Sequence, residues 1–368
     1  MLRPMAGVLT VAELNRATLA RQMLLAREKT PVVRAVERLA GMQAQLPRPP
    51  YIGLWSRLAG FRAEQLTRAA LERKLVRATL MRCTLHLVSA RDYERWRPAL
   101  QPMLTAVMHG VLRDRAKGID LGRVAETARS ALREQPRTFE ALRDVLARAH
   151  PRSDPRALGY AVRTHLPLVQ VPAEARWGWP AAAEFAPADA WIGRAIPDGA
   201  DLRPLVLAYL AAFGPASVRD AATWSGAREL APAFEALRPK LKSFRGEDGR
   251  ELFDLPDAPR PPVTVAAPAR FLPDYDNLLL AHADRARVIA DEHRKRVATA
   301  NLRILPTFLV DGRVAGTWSI ARARATARLT VEPFAPLARV DRAALEEEAR
   351  ALVAFCEPDA KATEVRFG

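Results

Sequence analysis

The sequence predicts an α+β protein, mainly α-helical, with three tandem winged helix-turn-helix units and a small C-terminal β-barrel or β-sheet region. Three observations carry this prediction. The length of 368 residues exceeds what one ordinary hydrophobic core organises. A pattern of helices followed by a short hairpin occurs once clearly and twice more weakly. After a proline-rich segment at residues 257–268, the composition changes from helix-forming to strand-forming residues.

The first unit is predicted over residues 1–116. Its helices are predicted over 9–29, from Pro31 to the glutamines at 43 and 45, over 51–60 and over 63–74. Apolar side chains recur there at helical spacing, and proline favours the first turn of a helix. Residues 75–89 alternate in part and are rich in Val, Thr and Leu, which indicates a pair of short strands that form the wing.

The second unit is predicted over residues 117–198 and the third over residues 199–258. In the second unit, Thr138 is expected to cap a helix. The wing of that unit carries Trp177 and Trp179 near its tip. The two indoles either insert into a partner from this tip or pack against the wing, and packing is the commoner outcome.

The C-terminal region is predicted over residues 259–368. The dipeptide Asp311-Gly312 between two strand-like runs favours a hairpin with a type I′ turn. An acidic, alanine-rich pattern over residues 341–356 predicts a closing helix. In the third unit, a turn at residues 246–249 would close the wing.

The charge of the chain is unevenly distributed. Its 57 Lys and Arg residues exceed its 41 Asp and Glu residues, which gives a formal net charge of +16. The first 150 residues contain 27 basic and 13 acidic residues, so +14 of that charge falls in the part with the two glutamines. A GC-rich coding bias explains Arg in place of Lys, but not this asymmetry. The pattern therefore predicts a polyanionic partner, and nucleic acid is expected.

Several classes of protein are excluded by composition. Apolar runs stay below the roughly 18 residues of a membrane span, and the N-terminal stretch lacks the apolar region of a signal peptide. The only cysteines, Cys83 and Cys356, lie in unrelated contexts, which disfavours a disulfide framework. No Cys/His spacing fits a zinc site. We therefore expect a cytoplasmic, nucleoid-associated protein without a membrane partner.

Gln43 and Gln45 flank one small residue after an apolar helical run, and three prolines follow. Because proline cannot continue a helix, the pair is expected at or just past a helix C-terminus, with side chains facing a cleft. A neutral carboxamide offers an acceptor oxygen and two donor hydrogens. Two of them can hold a water molecule without a charge beside it. Alternatively, the amides only satisfy free carbonyl groups at the helix end.

Residues 38–53 resemble the Gln-x-Gln motif region of the AlkZ-like, or YcaQ-like, DNA glycosylases, which are winged-helix DNA-binding domain-containing proteins. Residues 82–93 and 272–285 resemble two further segments of this family, in the same order. The resemblance implies hydrolysis of the N-glycosidic bond of an N7- or N3-alkylated purine in double-stranded DNA, including bulky adducts or interstrand crosslinks. It also implies an enzyme that uses no metal or cofactor, in DNA repair or in self-resistance to a DNA-alkylating natural product. Three tandem units that wrap a duplex would function as a monomer.

By this resemblance, Gln43 and Gln45 bind the nucleophilic water. Amides are poor bases, so such a pair should act only on good leaving groups. The second segment supplies Arg82, Thr84 and His86, which alternation along a strand would place on one face. Arg82 would hold a phosphate. His86 would contact phosphate or sugar, or else form a hydrogen bond within the apolar wall around it.

The third segment contains Asp274, Asp276, His282 and Asp284, which are residue types that ligate metals. We reject a metal site because the family is not known to need one. The same residues fit a capped helix start, with Asp276 or Asn277 as the cap. The basic residues around and after this segment are expected to line a phosphate track. They are Arg285, Arg287, His293, Arg294, Lys295 and Arg296.

Two other functions compete with the glycosylase. A non-catalytic winged-helix DNA-binding protein, such as a transcriptional regulator, would keep the fold without the activity. The intact Gln-Ala-Gln sequence favours the enzyme, and the absence of a recognisable ligand-binding or dimerisation segment disfavours a regulator. An RNA-binding protein is disfavoured because no aromatic-rich sheet motif is present.

Overall fold

The computed structural model describes residues 7–199, 201–299 and 303–368. These described residues form a mixed helix-and-strand fold with three separate β-sheets. Residues 1–6, part of the stretch that predicted no signal peptide, lie outside the described residues. Across the described ranges, every helix is too short or too polar to cross a membrane.

The helices and strands are numbered in chain order. The helices are α1 (Val11–Arg21), α2 (Val32–Arg38), α3 (Pro49–Arg57), α4 (Ala63–Leu71), α5 (Ala90–Ala99), α6 (Gln101–Leu112), α7 (Leu121–Glu134), α8 (Phe139–Ala149), α9 (Pro155–His165), α10 (Ala188–Ile192), α11 (Arg203–Phe213), α12 (Val218–Ser225), α13 (Ala231–Leu237), α14 (Arg294–Val297) and α15 (Arg339–Cys356). The strands are β1 (Val8–Leu9), β2 (Met42–Gln43), β3 (Leu75–Thr79), β4 (Leu85–Ser89), β5 (Arg137–Thr138), β6 (Leu168–Gln170), β7 (Glu184–Pro187), β8 (Lys242–Gly246), β9 (Glu251–Asp254), β10 (Arg270–Leu272), β11 (Thr307–Val310), β12 (Arg313–Ala323), β13 (Thr326–Pro333) and β14 (Ala362–Phe367).

The first helix is shorter than its sequence pattern predicts. The pattern extends over residues 9–29, but α1 ends at Arg21. Met23 adopts a left-handed φ of 55°, and the N–H of Leu24 donates to the carbonyl oxygen of Leu19 over 2.9 Å. This six-residue closing bond is typical of a helix C-terminus. Beyond it, Leu24 is buried and Leu25 is half-buried in irregular chain.

The largest sheet has six strands in the order β2-β4-β3-β6-β7-β5. β3 and β4 form the predicted antiparallel hairpin. β2 pairs with the other edge of β4 and places Gln43 opposite His86. β3 also pairs with β6, through Arg77 and Gln170. The strand that carries Gln43 is thus part of a sheet that continues from the region predicted as the first unit into the second.

The predicted helix cap in the second region is confirmed. Thr138 precedes α8, and its hydroxyl oxygen accepts a hydrogen bond from the N–H of Ala141 over 3.2 Å. This bond satisfies one of the free N–H groups of the first turn. The helix that follows buries Leu142 and Leu146 in a small apolar cluster with α7 and α9.

The third region has its helices and hairpin in the predicted order. α11, α12 and α13 precede the antiparallel strands β8 and β9, and Gly249 in the turn between them has a φ of 81°. β1 extends this sheet by pairing in parallel with β8, which the sequence pattern did not predict. Trp224 of α12 is fully buried in the same apolar cluster as Val88 of β4. The third region therefore packs directly against the hairpin beside Gln43.

The C-terminal sheet has five strands in the order β10-β11-β12-β13-β14. In the described part of the chain, β10 and β14 do not pair with each other, so the sheet is open. Of the two predicted forms of this region, the structure therefore has the sheet and not the closed barrel. Asp311 and Gly312 have φ values of 44° and 75°, as a type I′ turn requires. β14 was not predicted, because most of its side chains are exposed and give no apolar signal. α15 packs Leu345 and Leu352 against this sheet.

Candidate active site

Gln43 and Gln45 lie on one extended segment at the edge of the six-stranded sheet. Gly41, with a φ of 80°, turns the chain out of α2 and into β2. Met42 and Ala44 are buried in an apolar cluster. Because side chains alternate along extended backbone, the two glutamines face the opposite side. The pair therefore lies past a helix, as predicted, with Gln43 on β2 and Gln45 in the bend that follows it.

The backbone that carries the glutamines is held from two sides. The N–H of Ala44 donates to the carbonyl oxygen of Leu85 over 2.7 Å. Arg77 Nε donates to the carbonyl oxygen of Ala44 over 2.8 Å, and its Nη2 donates to that of Gln45 over 3.2 Å. Burial lowers the pKa of Arg77 to about 10, so it stays charged at neutral pH. The sequence analysis missed Arg77, since only strand pairing brings it near the glutamines.

The carboxamide of Gln43 is oriented by Arg82. Arg82 Nη2 donates to Gln43 Oε1 over 2.7 Å. A guanidinium group has donors only, so this contact fixes which end of the amide is the oxygen. Burial, and then the charge of Arg285, lower the pKa of Arg82 to about 10. The bond is therefore charge-assisted at neutral pH and stronger than a neutral one.

Arg82 does not lie on a strand, contrary to the prediction. It lies in the 3₁₀ turn Met81–Cys83, with a left-handed φ of 53°. Its Nη1 donates to the carbonyl oxygen of Trp224 in the last turn of α12. Gly226 follows that turn, and a Cβ there would lie 3.1 Å from the Cα of Arg82. Both Nη atoms of Arg82 bond to protein oxygens, so Arg82 orients Gln43, and its predicted phosphate contact stays a prediction.

His86 lies behind Arg82 and is fully buried. Its Nδ1 lies 3.0 Å from the carbonyl oxygen of Thr84, so Nδ1 carries the proton and donates. Its Nε2 then accepts from Arg82 Nη2 over 3.4 Å. Burial, and then the charge of Arg82, lower the pKa of His86 to about 3. Of the two predicted roles, His86 has the structural one: it does not reach solvent and cannot touch DNA in this arrangement.

Thr84 also has an internal partner. Its Oγ1 donates to the carbonyl oxygen of Met81 over 3.2 Å, which closes the turn that carries Arg82. The predicted trio of Arg82, Thr84 and His86 is thus brought together beside Gln43. Its internal hydrogen bonds support the glutamine, and DNA contacts from the half-buried Arg82 and Thr84 stay a prediction.

The buried state of His86 makes stability depend on pH. His86 binds a proton near pH 6.5 in the unfolded chain and only near pH 3 in the folded chain. The contribution of the buried neutral imidazole to stability is therefore complete above pH 6.5 and is lost as the pH drops toward 3. Between pH 7 and pH 5, His86 should cost about 2 kcal/mol of unfolding free energy. The His86→Asn variant keeps a donor toward Thr84. Between pH 7 and pH 5, we expect its free energy of unfolding, measured by urea denaturation, to fall by about 2 kcal/mol less than that of the wild type. Parallel losses in both proteins would contradict a neutral buried His86.

Gln45, in contrast with Gln43, is exposed. Its Oε1 accepts a long hydrogen bond of 3.3 Å from the N–H of Leu85. Such a bond is weak, so the amide can turn toward a ligand at little cost. The pair therefore combines one fixed carboxamide and one adaptable carboxamide on the same face.

The third segment that resembles the family lies against the same edge. Asp276 forms a buried ion pair with Arg57, in which two nitrogen–oxygen distances are 2.9 Å. Asp276 also caps the short 3₁₀ helix Asn277–Leu279 through the N–H of Leu278 over 3.0 Å, so the predicted cap is found. Asn277 Nδ2 donates to the carbonyl oxygen of Gly41 over 2.9 Å. This bond links the segment to the residue that turns the chain into β2.

The acidic residues of the third segment have arginine partners. Asp274 pairs with Arg303, Asp276 with Arg57, and Asp284 with Arg250. His282 is buried, and its Nε2 donates to the carbonyl oxygen of Phe213 over 3.0 Å. Within the described ranges, no three side chains of metal-ligating type come close enough to share an ion. The chemistry of these residues is therefore that of ion pairs and a helix cap.

The predicted phosphate track divides into exposed and buried residues. Lys295 and Arg296 are exposed, and Arg294 and His293 are half-buried. Arg285 is half-buried, and its burial, and then the charge of Arg294, lower its pKa. The prediction of a phosphate contact is wrong for Arg287. This residue is buried, and its Nη1 donates to the carbonyl oxygen of Pro215 over 3.1 Å. It serves the core and does not face a phosphate.

The two tryptophans of the second region pack and do not project. Trp179 is buried, and its Nε1 donates to the carbonyl oxygen of Gln170 over 3.3 Å. Trp177 contacts Tyr51 edge to face, with ring centres 5.2 Å apart. Of the two alternatives, packing is therefore the outcome.

Comparison with known proteins gives consistent results. The family described as DNA glycosylase AlkZ-like matches residues 36–355. The interstrand DNA cross-link repair glycosylase of Streptomyces sahachiroi is 30% identical over 168 residues, which cover 42% of this chain and 43% of that protein. The aligned part thus spans less than half of that relative. The solved structure of Streptomyces sahachiroi DNA glycosylase AlkZ has a TM-score of 0.81 and 22% identity, and the match covers 98% of this chain and 100% of that one.

The structural match establishes the common fold, and the family match establishes the relationship, because it covers most of the chain and includes both glutamines and all three resembling segments. The chain belongs to the AlkZ-like DNA glycosylase family.

Proposed function

We propose that this protein hydrolyses the N-glycosidic bond of purines alkylated at N7 or N3 in double-stranded DNA and leaves an abasic site. The observation that carries the proposal is the pair of carboxamides on one face of a fixed extended segment. Arg82 orients Gln43, Arg77 and β4 hold the backbone, and Gln45 is exposed two residues further on. A rigid support of this kind is what a positioned nucleophile requires.

The nucleophile in this proposal is a water molecule bound by the oxygens of Gln43 and Gln45. Arg82 uses one acceptor site of Gln43 Oε1, and the second stays available. A water held behind C1′ of the sugar needs little further ordering before attack. The two amide oxygens also place partial negative charge beside the sugar as positive charge develops there.

The leaving group must supply the remaining driving force. An amide is too weak a base to deprotonate water efficiently, and His86 is neutral with both ring nitrogens engaged. A purine alkylated at N7 or N3 is cationic and departs as a neutral base. We therefore expect selectivity for alkylated purines over normal ones to arise from leaving-group chemistry, in addition to binding.

The DNA would lie across the basic surface beside the glutamines. We propose phosphate contacts from Arg285, Arg294, Lys295 and Arg296, of which the last two are exposed. The excess of basic residues in the first 150 positions supports a duplex on that side.

We further propose that the regions 1–116, 117–198 and 199–258 act as three winged-helix units of one monomer and that residues 259–368 support them. The exposed Gln45 suits an open surface that accommodates a bulky adduct or an interstrand crosslink. The biological role would be DNA repair or self-resistance to an alkylating compound.

The test is glycosylase activity on a duplex with one N7-methylguanine, beside the same duplex without the methyl group. We expect alkali-labile abasic sites and free N7-methylguanine, detected by mass spectrometry, from the modified duplex alone. A protein that binds both duplexes but leaves a panel of N7 and N3 adducts intact would instead be a DNA-binding protein without catalysis. Binding that weakens steeply with salt is expected in either case.

A further inference from the structure

A small space lies between the glutamine strand and the third resembling segment. It is lined by Gln43 and Gly41 on one side and by Tyr275 and Asn277 on the other. The cavity volume is about 10 Å³, which is roughly what one water molecule needs. Tyr275 adopts a left-handed φ of 59° at its rim, and such strain in a bulky residue concentrates at functional sites.

Two polar groups around this space lack protein partners. Asn277 is 6% exposed, its Nδ2 donates to Gly41, and its Oδ1 is buried without a donor in the described part of the chain. Gln43 Oε1 accepts from Arg82, while its Nε2 donates to no acceptor among the described residues. One group is an acceptor and the other is a donor. A buried amide oxygen without a partner is destabilising, which favours a bound water.

The charged and amide groups that also line the space are engaged elsewhere: Asp276 pairs with Arg57, and Asp274 pairs with Arg303. Arg57 donates to Asp276 and to the carbonyl oxygens of Gln22 and Gly53. Gln22 Nε2 donates to the carbonyl oxygen of Ala212 over 3.0 Å. Asn277 Oδ1 and Gln43 Nε2 are an acceptor and a donor that one water in this space can join.

We propose that Asn277 and Gln43 bind one water molecule between them and that Asn277 is a positioning residue for the catalytic amide. The water accepts from Gln43 Nε2 and donates to Asn277 Oδ1. The oxygen end of the Gln43 amide is fixed by Arg82 and the nitrogen end by this water. The acceptor site of Gln43 Oε1 that Arg82 does not use then points in a single direction. This inference rests on the proposed function, since it assigns a support to the same site.

The experiment compares Asn277→Leu with Asn277→Asp. Leucine is similar in size but removes both the acceptor toward the water and the donor toward Gly41. Aspartate keeps the acceptor and loses that donor. Asn15→Leu is the matched control, because Asn15 is 2% exposed and also donates to backbone carbonyl oxygens, those of Arg287 and Gly312.

Three quantities are measured for each variant: the single-turnover rate on a duplex with one N7-methylguanine, the dissociation constant for that duplex, and the melting temperature. We expect Asn277→Leu to lower the rate about tenfold through misplacement of Gln43, with the dissociation constant unchanged. Asn277→Asp should retain most of the rate, and Asn15→Leu should lose melting temperature without losing rate. Equal rates in Asn277→Leu and Asn15→Leu, or equal losses in Asn277→Asp and Asn277→Leu, would overturn the proposal.

A high-resolution crystal structure of the wild type and of Asn277→Leu provides a readout independent of activity. We expect a water peak within hydrogen-bond distance of Gln43 Nε2 and Asn277 Oδ1 in the wild type and none in the variant. An empty space in the wild type would refute the assignment. If the wild type cleaves no alkylated duplex, the proposed function fails, and the crystal structure still decides the water site.

Discussion

Replacing both glutamines, Gln43→Ala and Gln45→Ala together, should lower the single-turnover rate on a duplex with one N7-methylguanine by about 10³-fold, with duplex affinity nearly unchanged. The two side chains are expected to touch the nucleophilic water and not the phosphates. Their removal leaves intact the bond that Arg77 donates to the Ala44 carbonyl oxygen and the bond that the Ala44 N–H donates to Leu85, so the strand keeps its place. The rate is measured with excess enzyme, and affinity is measured on the same duplex by fluorescence anisotropy.

The single variants should differ. Gln43 is buried beside Arg82, so Gln43→Ala also leaves Arg82 with an unpaired donor and should lower stability by about 1–2 kcal/mol. Gln45 is exposed, so Gln45→Ala should lose rate with stability unchanged. Gln135, an exposed glutamine at the end of α7, supplies the control Gln135→Ala. A double variant that keeps more than a tenth of the wild-type rate would exclude the carboxamides as the ligands of the water.

The sequence predicted the local structure around the glutamines well because the signals there are local. Alternation marks β3 and β4, and Thr138 and Asp311-Gly312 act through their own backbone geometry. The helix before the glutamines is an exception: it was predicted to run to Gln43 but ends at Arg38, ahead of the left-handed Gly41 and well before the prolines. The resemblance to a family located Gln43 and Gln45, since that motif is short and contiguous. These features need no knowledge of distant contacts.

What the sequence could not show depends on contacts between distant residues. The bond from Arg82 to Gln43 joins residues 39 positions apart, and that from Asn277 to Gly41 joins residues 236 apart. Arg287 and Arg296 are both arginines, but Arg287 is buried and Arg296 is exposed. Arg287 is buried because it packs against α1 and α11, which residue type does not reveal. Likewise, strand alternation placed Arg82 on β4, but the 3₁₀ turn before that strand gives it a different direction. Residue type and spacing alone do not contain this information.

Breaking the buried ion pair under the site should have the largest effect on stability. Arg57 and Asp276 have side chains that are 1% and 2% exposed. Asp276→Ala would leave the guanidinium of Arg57 without its carboxylate in the interior and remove the cap of the 3₁₀ helix. We expect a loss of about 3–5 kcal/mol in the free energy of unfolding, measured by urea denaturation. Asp274→Ala, two residues away, removes a partly exposed pair with Arg303 and should cost at most about 1 kcal/mol.

A second variant separates the unpaired charge from the loss of packing. Arg57→Met combined with Asp276→Leu removes both charges and keeps much of the apolar volume, so it should be more stable than Asp276→Ala despite carrying an additional substitution. Arg57 also donates to Gln22 and Gly53, so the double variant should still fall below the wild type. If the double variant were as unstable as the sum of its two single variants, the cost would lie in those backbone bonds and in packing. A recovery of stability without a recovery of glycosylase rate would show that the pair also orients the 272–277 segment against the strand of Gln43.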